Sequence, residues 1–409
     1  MGLDYNALLE AVTDGSAGIR LRGELEPLGG RYDKVFPPTY GVDDQASTKY
    51  AVETRRNPDG GETTTAVVLD SVASQANRHE LCLLEAYRDG EVAIPVTSVD
   101  FESEAGLEAF GRLSDLEAPH RIYDAILRDS LDGDVFFRMG KIGRAITEAT
   151  TRDASALFLH SPATLIFGGW DSTGPRGGRG SKFERSFTSE IVAFGVSEGS
   201  KTSSRLDPLG IEIKAAQPYE AKDGGWTLDE SEAVMDPRGK AKALKPSEIN
   251  HGNVAPSIDT RAGGVTAELI LVTSVLSLIQ LRRLRFRSDA NGAPLPGPAE
   301  GVETAARAAL AALGLCSMVL AVDAGLDLRS RCVLVPTRQP ALELVGRDGS
   351  VTAFTLTRAE AVDLLAVAAA AASEAGLPWR SEELVLTPTP HLATLVRKSR
   401  QLSVANADL

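Results

Sequence analysis

An alternation of apolar and polar side chains over residues 17–28, AGIRLRGELEPL, most constrains how this 409-residue chain can fold. Ile19, Leu21 and Leu25 fall on one side of an extended chain, and Arg20, Arg22 and Glu24 fall on the other. This pattern predicts a strand with one polar face. A second strand is predicted at 64–70, TTAVVLD. A helix is predicted directly after it, at 71–87, because apolar side chains recur there at helical spacing behind capping residues.

The remaining predicted elements also mix strands with helices. Residues 104–160 are predicted to be mostly helical and irregular, and 162–169 to be a short buried strand. The other predicted elements are a strand at 186–196, a polar insertion at 197–262, a return to the core at 263–281, a linker at 288–299, a helix near 300–322, and strands at 331–336, 341–346 and 350–356. Thr357 and Glu360 form a capping-box pattern for a last helix that ends near Gly376. This order of elements, with late strands spaced as hairpins, predicts an α+β fold.

Cysteine spacing and hydropathy limit the class of protein. The three cysteines lie far apart without a CxxC pair, which favours a reducing cytosol and argues against a zinc ribbon. The N-terminus lacks the basic start and apolar run of a signal peptide. The longest apolar stretch, 308–322, has 15 residues, short of the ~20 that span a bilayer. We therefore expect a cytoplasmic protein without membrane contact, cofactor or metal.

Charge is distributed unevenly along the chain. The formal net charge is −13, and residues 1–135 carry 12 basic and 26 acidic side chains. Residues 136–187 carry 8 basic and 4 acidic side chains. An acidic mean charge argues against indiscriminate polyanion binding, yet it is compatible with one cationic groove on an acidic body.

The middle of the chain contains a cationic, glycine-rich stretch, GGWDSTGPRGGRGSKFERSF at 168–187. Its basic side chains, set among aromatic ones that include Trp170, are Arg176, Arg179, Lys182 and Arg185. The spacing fits neither a phosphate-binding Walker A loop nor a serine nucleophile elbow. Glycine, arginine and aromatic residues together suit a nucleic-acid backbone, since arginine neutralises phosphate and aromatic rings stack on bases. A solvated surface loop without a ligand is the alternative.

Three further stretches carry groups suited to RNA. LRRLRFR at 281–287 places four arginines in seven residues. A helix or a strand would each align some of these arginines on one face, and a helix C-terminus that favours cations is the alternative. SQANR at 74–78 lies at a predicted helix N-terminus, which attracts anions, although capping with a solvated arginine explains it equally. INHGNVAPS at 249–257 by itself predicts a turn.

Six motifs together resemble one protein family. They are VFPPTYG (35–41), LDSVASQANRHE (69–80), LFLHSPATLIFGGWDSTG (157–174), RSFTSEIVAFG (185–195), NHGNVAPS (250–257) and VLSLIQLRRLRF (275–286). In this order they resemble a RAMP-superfamily CRISPR protein, the backbone or Cas-seven-type subunit of type I-G effectors, formerly type I-U. The resemblance covers about residues 16–290 by motif, and residues 291–409 only in the order of strands and helices.

This resemblance implies a fold and a set of partners. The fold would be an RNA-recognition-motif-like, ferredoxin-like palm: a single RAMP-type domain over 1–409 with a helical insertion at 76–160 and a thumb-like insertion at 197–262. Several copies would stack in a helical filament along the guide RNA (crRNA) of a Cascade complex, beside other Cascade subunits, and position the target DNA strand. The subunit would not be an enzyme, because a separate helicase-nuclease cuts the target.

The same resemblance implies RNA-binding residues. Arginine and lysine would neutralise phosphate, glutamine and asparagine would bond phosphate or ribose hydroxyl, and Trp170 would stack. The implied RNA-binding residues are Gln75, Asn77, Arg78, His160, Trp170, Arg176, Arg179, Lys182, Arg185, Asn250, His251, Asn253, Arg282, Arg283 and Arg285.

Two other functions stay open at this level. Asp43 and Asp44 are compatible with a metal-dependent RNase of the same superfamily that cleaves bound target RNA, and a solvated acidic turn is the alternative. A structural interaction protein without its own RNA contact would instead pair its cationic loops with the acidic first third of a neighbour.

Overall fold

The computed structural model describes residues 2–43, 45–58, 60–174, 180–211, 215–289, 291–295 and 300–407. Within these residues the chain is a mixed α+β structure. The α-helices are α1 (Tyr5–Asp14), α2 (Val72–Arg88), α3 (Ala125–Arg128), α4 (Lys141–Glu148), α5 (Ser155–His160), α6 (Pro162–Phe167), α7 (Leu278–Leu281), α8 (Glu300–Asp323), α9 (Arg358–Glu374) and α10 (Pro390–Ala407).

The strands are short outside the main sheet. They are β1 (Ser16–Pro27), β2 (Val52–Arg56), β3 (Thr63–Asp70), β4 (Thr97–Asp100), β5 (Arg112–Ser114), β6 (Ser130–Asp132), β7 (Val135–Phe136), β8 (Gly169–Trp170), β9 (Lys182–Phe183), β10 (Phe187–Phe194), β11 (Ser197–Glu198), β12 (Lys201–Arg205), β13 (Tyr219–Glu220), β14 (Trp226–Thr227), β15 (Val254–Asp259), β16 (Val265–Thr266), β17 (Leu269–Ser277), β18 (Leu326–Arg329), β19 (Cys332–Pro336), β20 (Ala341–Gly346), β21 (Val351–Phe354) and β22 (Leu384–Pro388).

The chain divides into two compact units. The first contains Met1–Tyr40, Tyr50–Ser197 and Val265–Leu392, and the second contains Gly41–Lys49, Glu198–Gly264 and Ala393–Leu409. The second unit holds the β12–β15 and β13–β14 pairs, in the range for which the sequence predicts a thumb-like insertion. The RNA-recognition-motif-like palm and the assignment of 76–160 and 197–262 as insertions in one domain stay predictions.

The first unit is built on a sheet of nine strands. Their order is β18-β19-β1-β17-β10-β3-β2, and β20 joins β1 to β21. β1 pairs antiparallel with β17, with Gly18 opposite Ser277. The alternation predicted at 17–28 is confirmed, because Ile19 and Leu21 are buried while Arg22 is exposed. A second sheet in this unit has the order β5-β4-β22-β6-β7.

Helix α8 lies in the core of the first unit. It contacts α1, α2 and α9, and its side chains from Ala308 to Ala321 are buried. By length and composition α8 is apolar enough to cross a membrane, but 83% of its most apolar 18-residue window is buried. Such burial is typical of the core helix of a soluble protein, and a cytoplasmic location stays a prediction.

Several single elements confirm the sequence analysis. Ser71 caps α2 by accepting a hydrogen bond from the backbone N–H of Ser74 at 3.3 Å. The capping box of Thr357 and Glu360 is present at the start of α9. Because capping residues act over three positions of chain, these helix starts depend on local sequence alone.

One prediction about secondary structure is wrong. Residues 162–167 form α6 rather than a strand, and Pro162 occupies the first turn, where a missing N–H costs no helical hydrogen bond. Every side chain of α6 is buried, so this apolar run shows no periodicity that separates helix from strand. Residues 104–160 are mostly short helices and irregular chain, as predicted, and the strands among them, β5, β6 and β7, have only two or three residues each.

Candidate nucleic-acid interface

A short hairpin carries part of the glycine-rich stretch. β8 pairs with β9 so that Trp170 lies opposite Lys182. Trp170 is 56% exposed and Lys182 is exposed, whereas Phe183 is buried. Arg176 and Arg179 lie outside the described residues. The described part of the hairpin therefore presents an aromatic ring and an ammonium group to solvent at paired positions.

Buried polar contacts attach this hairpin to α4 and to the turn before it. Ser181 Oγ lies 2.7 Å from the carbonyl oxygen of Thr147 and 2.6 Å from that of Ala149, and donates to one of them at a time. Asp171 is only 1% exposed and accepts a hydrogen bond from Arg138 Nη2 at 2.7 Å. The base of the hairpin is therefore held through two buried side chains, Asp171 and Ser181.

The first arginine of LRRLRFR has an internal role. Arg282 follows α7 and donates from Nε to the carbonyl of Val12 at 2.7 Å and from Nη2 to that of Ala11 at 3.1 Å. These carbonyls belong to the last turn of α1, where backbone oxygens lack helical partners. Arg282 therefore caps the C-terminus of α1.

The next arginines link this segment to the hairpin and to α4. Arg283 is 65% exposed and its guanidinium lies 3.6 Å from Glu184, the residue after β9. Arg285 donates from Nη1 to the carbonyl of Arg282 at 2.7 Å, and its backbone N–H donates to the carbonyl of Thr151 at 3.0 Å. Residues 282–285 therefore contact both the residue that follows β9 and the turn that follows α4.

These contacts join three segments far apart in sequence, and we call the exposed basic side chains on them the cationic patch. Its exposed basic side chains are Lys141, Arg144, Arg152, Lys182 and Arg283. Exposed carboxylates in the same segments include Glu148 and Glu184. Apart from Arg283 beside Glu184, these basic side chains have no carboxylate within ion-pair distance in the part of the chain that the structure describes. The patch is a local excess of positive charge on an acidic protein.

Three members of the patch, Lys141, Arg144 and Arg152, lie outside the stretches predicted to bind RNA. Lys141 and Arg144 lie three positions apart on α4, and Arg152 lies in the turn that follows. They stand outside the glycine-rich stretch, and only the positive balance of residues 136–187 includes them. Residues three apart on a helix are neighbours on its surface, so the spacing within KIGRAITE is the signal that could have identified the first two.

Gln75 and Arg78, predicted at the start of α2, belong to a separate group around a buried carboxylate. Asp70, at the end of β3, is fully buried and accepts hydrogen bonds from Gln75 Nε2 at 2.6 Å and Arg78 Nε at 2.9 Å. Arg78 also donates to the carbonyl of Asp327 at 3.0 Å and to that of Leu328 at 2.6 Å. All three guanidinium nitrogens of Arg78 are therefore engaged within the protein.

This Asp70 cluster, which comprises Asp70, Gln75, Arg78, Ser189 and Arg329, extends across the sheet. Ser189 Oγ donates to Gln75 Oε1 at 2.7 Å, and Arg329 Nη2 lies 3.4 Å from Asp70 Oδ1. Gln75 is 2% exposed, whereas the neighbouring Asn77 is exposed. The structure gives Gln75 and Arg78 internal partners, and RNA contact at these positions and at Asn77 stays a prediction.

His160 and Arg185 also make internal contacts. His160 is 7% exposed, and its Nε2 lies 3.5 Å from Arg380 Nη1. Burial, together with the charge of Arg380, lowers the pKa of His160 to about 4, so its imidazole is neutral near pH 7. Arg185 donates from Nε to the carbonyl of Phe167 at 3.1 Å. Whether either residue contacts RNA stays a prediction.

The predicted group at 250–253 lies in the second unit and forms a turn, as its sequence indicates. Arg205 of β12 donates from Nη2 to the carbonyl of His251 at 2.7 Å. The backbone N–H of Asp207 donates to Asn253 Oδ1 at 2.8 Å. Asn250 has a φ of +56°, which asparagine tolerates better than most residues. These contacts tie the segment after β12 to the segment before β15.

The same segment of the second unit exposes apolar side chains. Leu206 is 86% exposed and Leu209 is 76% exposed, directly after β12. The ring of Trp226, 45% exposed, lies 6.0 Å from the ring of His251 in an edge-on arrangement. Leu206 and Leu209 leave most of their apolar surface in solvent, so these two side chains are available to a ligand.

The two aspartates after PPTYG are the candidate metal ligands of the RNase alternative. Asp43 is exposed, and its backbone carbonyl accepts a hydrogen bond from Arg261 at 3.1 Å. Asp44 lies outside the described residues. Over the described ranges, no group of three or more histidine, cysteine, aspartate or glutamate side chains is arranged to hold a metal ion.

Comparison with known proteins bears on the CRISPR part of the interpretation. Residues 19–198 match the family model described as CRISPR-associated protein GSU0053. The matched range contains α4, the hairpin and the N-terminal members of the Asp70 cluster, but not residues 282–287. No curated protein matches the chain. Over residues 19–198 the chain is therefore similar to CRISPR-associated proteins, which supports a role in CRISPR defence alongside other CRISPR components.

Proposed function

We propose that this protein is the guide-RNA-binding backbone subunit of a type I-G CRISPR Cascade effector, a RAMP-superfamily protein that stacks in several copies along the guide and positions the target DNA strand. The family match supports the CRISPR role. The observation that carries RNA binding is the cationic patch. It joins cations from residues 141–152, 182 and 283 on a chain whose formal net charge is −13.

The chemistry of the patch suits the backbone of a single strand. Lysine and arginine side chains contact phosphates whatever the base sequence. Trp170 adds an exposed ring on the hairpin, and stacking on such a ring is worth ~1–3 kcal/mol per base. A subunit that accepts guides of many sequences needs this combination of phosphate and stacking contacts, because neither reads bases.

The second unit supports a second part of the proposal. Apolar side chains inserted between neighbouring bases unstack them. Leu206 and Leu209, exposed after β12, are suited to such insertion. We assign this segment as the tip of the thumb that the family resemblance implies, acting as a wedge between bases of the guide.

Charge reversal of the patch tests RNA binding. Lys141→Glu, Arg144→Glu and Lys182→Glu together are expected to weaken binding of a fluorescent oligouridine. The dependence of log affinity on log salt concentration is expected to flatten by about 0.7 for each single-strand phosphate that the variant no longer neutralises. Folding is expected to survive, since exposed charges contribute little to stability.

The matched control reverses three exposed arginines elsewhere in the first unit. Arg56→Glu, Arg338→Glu and Arg347→Glu change the net charge by the same amount on β2, before β20 and after β20. The control is expected to lose much less affinity than the patch variant. Equal losses in the two variants would mean that RNA responds to net charge alone, and the patch would not be the binding site.

Assembly of subunits along RNA and cleavage of RNA have separate tests. A subunit that stacks along RNA forms complexes whose mass increases with RNA length, which multi-angle light scattering measures. A closed dimer of constant mass on longer RNA would contradict assembly along RNA.

The metal-dependent RNase alternative instead requires cleavage of target RNA in Mg²⁺ that Asp43→Asn abolishes, whereas the proposal expects the RNA to stay intact.

A structural interaction protein is the remaining alternative. It requires a stable assembly that forms without nucleic acid and resists salt. The ratio of absorbance at 260 and 280 nm, for protein purified with and without co-expressed guide, separates the two functions. A ratio that does not rise with the guide would favour the structural role.

A further inference from the structure

The hairpin that carries Trp170 and Lys182 leaves the core at a sharp bend. α6 ends at Phe167, and Gly168 has a φ of +84°. A Cβ at Gly168 would lie 2.7 Å from Arg185 Cγ, a distance that requires the arginine or the backbone to move. The direction of the hairpin is therefore decided at this glycine.

A buried ion pair contacts the bend directly. Arg121 donates from Nη2 to Glu80 Oε2 at 2.7 Å and from Nε to Glu80 Oε1. Its third nitrogen, Nη1, donates to the carbonyl of Gly168 at 3.0 Å. The guanidinium also lies over the ring of Phe167, 5.7 Å from the centroid. One planar cation thus connects α2 to the first residue of the bend.

Both sides of the bend are held in this way. Arg185 donates to the carbonyl of Phe167 at 3.1 Å, so two arginines take the two successive carbonyls at which the chain turns. Arg121 is 6% exposed and Glu80 is 1% exposed. Water therefore does not replace either partner if the pair is broken.

Stability alone explains this arrangement poorly. Burial raises the pKa of Glu80, and the charge of Arg121 opposes that rise. Buried ion pairs often contribute no more stability than well-packed apolar residues of similar size. Arg121 also has a φ of +53°, a left-handed conformation that costs free energy in a residue with a Cβ. Geometry rather than stability is what this pair supplies.

We propose that Glu80 and Arg121 are positioning residues, which fix the direction of the hairpin at Gly168 and so set RNA affinity without touching RNA. The inference rests on the proposed function, since it takes Trp170 and Lys182 as RNA contacts. Glu80 and Arg121 lie outside the cationic patch. Their removal would leave the carbonyl of Gly168 without its partner and loosen the bend, while every exposed cation stays in place.

The test replaces the pair by apolar residues, Glu80→Leu with Arg121→Met. We expect a urea unfolding midpoint close to that of the unmodified protein. Affinity for a fluorescent oligouridine is expected to fall about tenfold, the loss that one missing hydrogen bond from a charged donor gives. Chymotrypsin is expected to cleave faster after Trp170. Arg121→Lys, which keeps the charge but not the planar fork, is expected to change affinity and cleavage in the same direction.

Two comparisons decide the result. The control Arg20→Met with Glu343→Leu makes the same exchange in an ion pair of β1 and β20 and is expected to leave oligouridine affinity unchanged. Normal affinity and normal cleavage in both pair variants, beside weak binding by the charge-reversed patch, would overturn the positioning role alone. Normal affinity of the patch variant would instead overturn the proposed function, and cleavage after Trp170 would still decide whether the pair holds the hairpin.

Discussion

The start of α2 and the hairpin of β8 and β9 both carry basic side chains, but their partners differ. Arg78 has an acceptor for each guanidinium nitrogen: the carboxylate of Asp70 and two backbone carbonyls of the β18 region. Lys182 is exposed, and no carboxylate of the described residues lies within ion-pair distance of it. The two sites show that residue type is a weak guide to ligand contact, and that the supply of internal acceptors is a stronger one.

The cause of this difference is a buried carboxylate. Asp70 is fully buried, and a buried charge is costly unless it is paired and hydrogen-bonded. It therefore draws Gln75, Arg78 and Arg329 towards the core. The exposed carboxylates near the hairpin are solvated and make no such demand on Lys182, which stays available to a polyanion.

The largest effect on stability is expected from removal of the buried Asp70 carboxylate. Asp70→Ala leaves Arg78 and Arg329 without their shared partner, and the loss of one member of a buried ion pair costs about 3 kcal/mol. The free energy of unfolding in urea measures this. Glu184→Ala, at an exposed carboxylate 3.6 Å from Arg283, is the control and is expected to cost less than about 0.5 kcal/mol. Similar losses in the two variants would remove the distinction between the sites.

The elements on either side of this comparison were predictable to different degrees. β1, β3, α2 and α9 follow from alternation and capping, which depend on a few neighbouring residues. The Asp70 cluster does not, because Asp70 and Arg329 come from β3 and β18, which are far apart in the chain and do not pair with each other in the sheet. SQANR shows a helix start with cations, and nothing in those five residues reveals that a buried carboxylate takes Gln75 and Arg78.

The cationic patch was predictable only in part, because local sequence does not show contacts between distant segments. The composition of 168–187 and of 281–287 identifies Trp170, Lys182 and Arg283, all of which are exposed. Sequence does not reveal that Arg282 turns inward, since its acceptors are the last carbonyls of α1, about 270 residues away. It also does not reveal the contacts through Thr147 and Thr151 that bring α4 into the patch.

Truncation of the exposed ring is the next largest test. Trp170→Ala is expected to weaken oligouridine binding by about 1–3 kcal/mol, the value of one base stacked on an aromatic side chain. Trp170→Phe keeps a stacking face and is expected to retain most of the affinity. Because Trp170 is 56% exposed, neither change should alter the free energy of unfolding by more than about 0.5 kcal/mol. Fluorescence anisotropy measures the affinities, and equal binding by the alanine variant would show that the ring does not stack on RNA.

The pH dependence of stability tests whether His160, a predicted RNA-binding residue, is buried within the folded protein. Its pKa is about 4 in the folded protein, against about 6.5 for an unperturbed histidine. Between these values the unfolded chain binds more protons, so the free energy of unfolding falls as the pH falls, by about 1 kcal/mol from pH 6.5 to 5.5. His160→Gln is expected to remove this part of the pH dependence. His391→Gln, at an exposed histidine, is the control, and an unchanged pH profile in the His160 variant would place that imidazole in contact with solvent.

The smallest expected effect comes from a comparison of Lys182 with Arg78. Lys182→Gln is expected to lower the salt dependence of oligouridine binding by about 0.7, the contribution of one single-strand phosphate contact, and to leave the free energy of unfolding unchanged. Arg78→Gln is expected to do the opposite: it removes hydrogen bonds to Asp70, Asp327 and Leu328, so unfolding becomes easier while the salt dependence stays the same. Salt titrations and urea unfolding of both variants separate the two outcomes. A guanidinium whose nitrogens are all bonded internally releases no counterions on RNA binding unless RNA displaces those partners. An equal drop in salt dependence for Arg78→Gln would therefore mean that RNA reaches the Asp70 cluster.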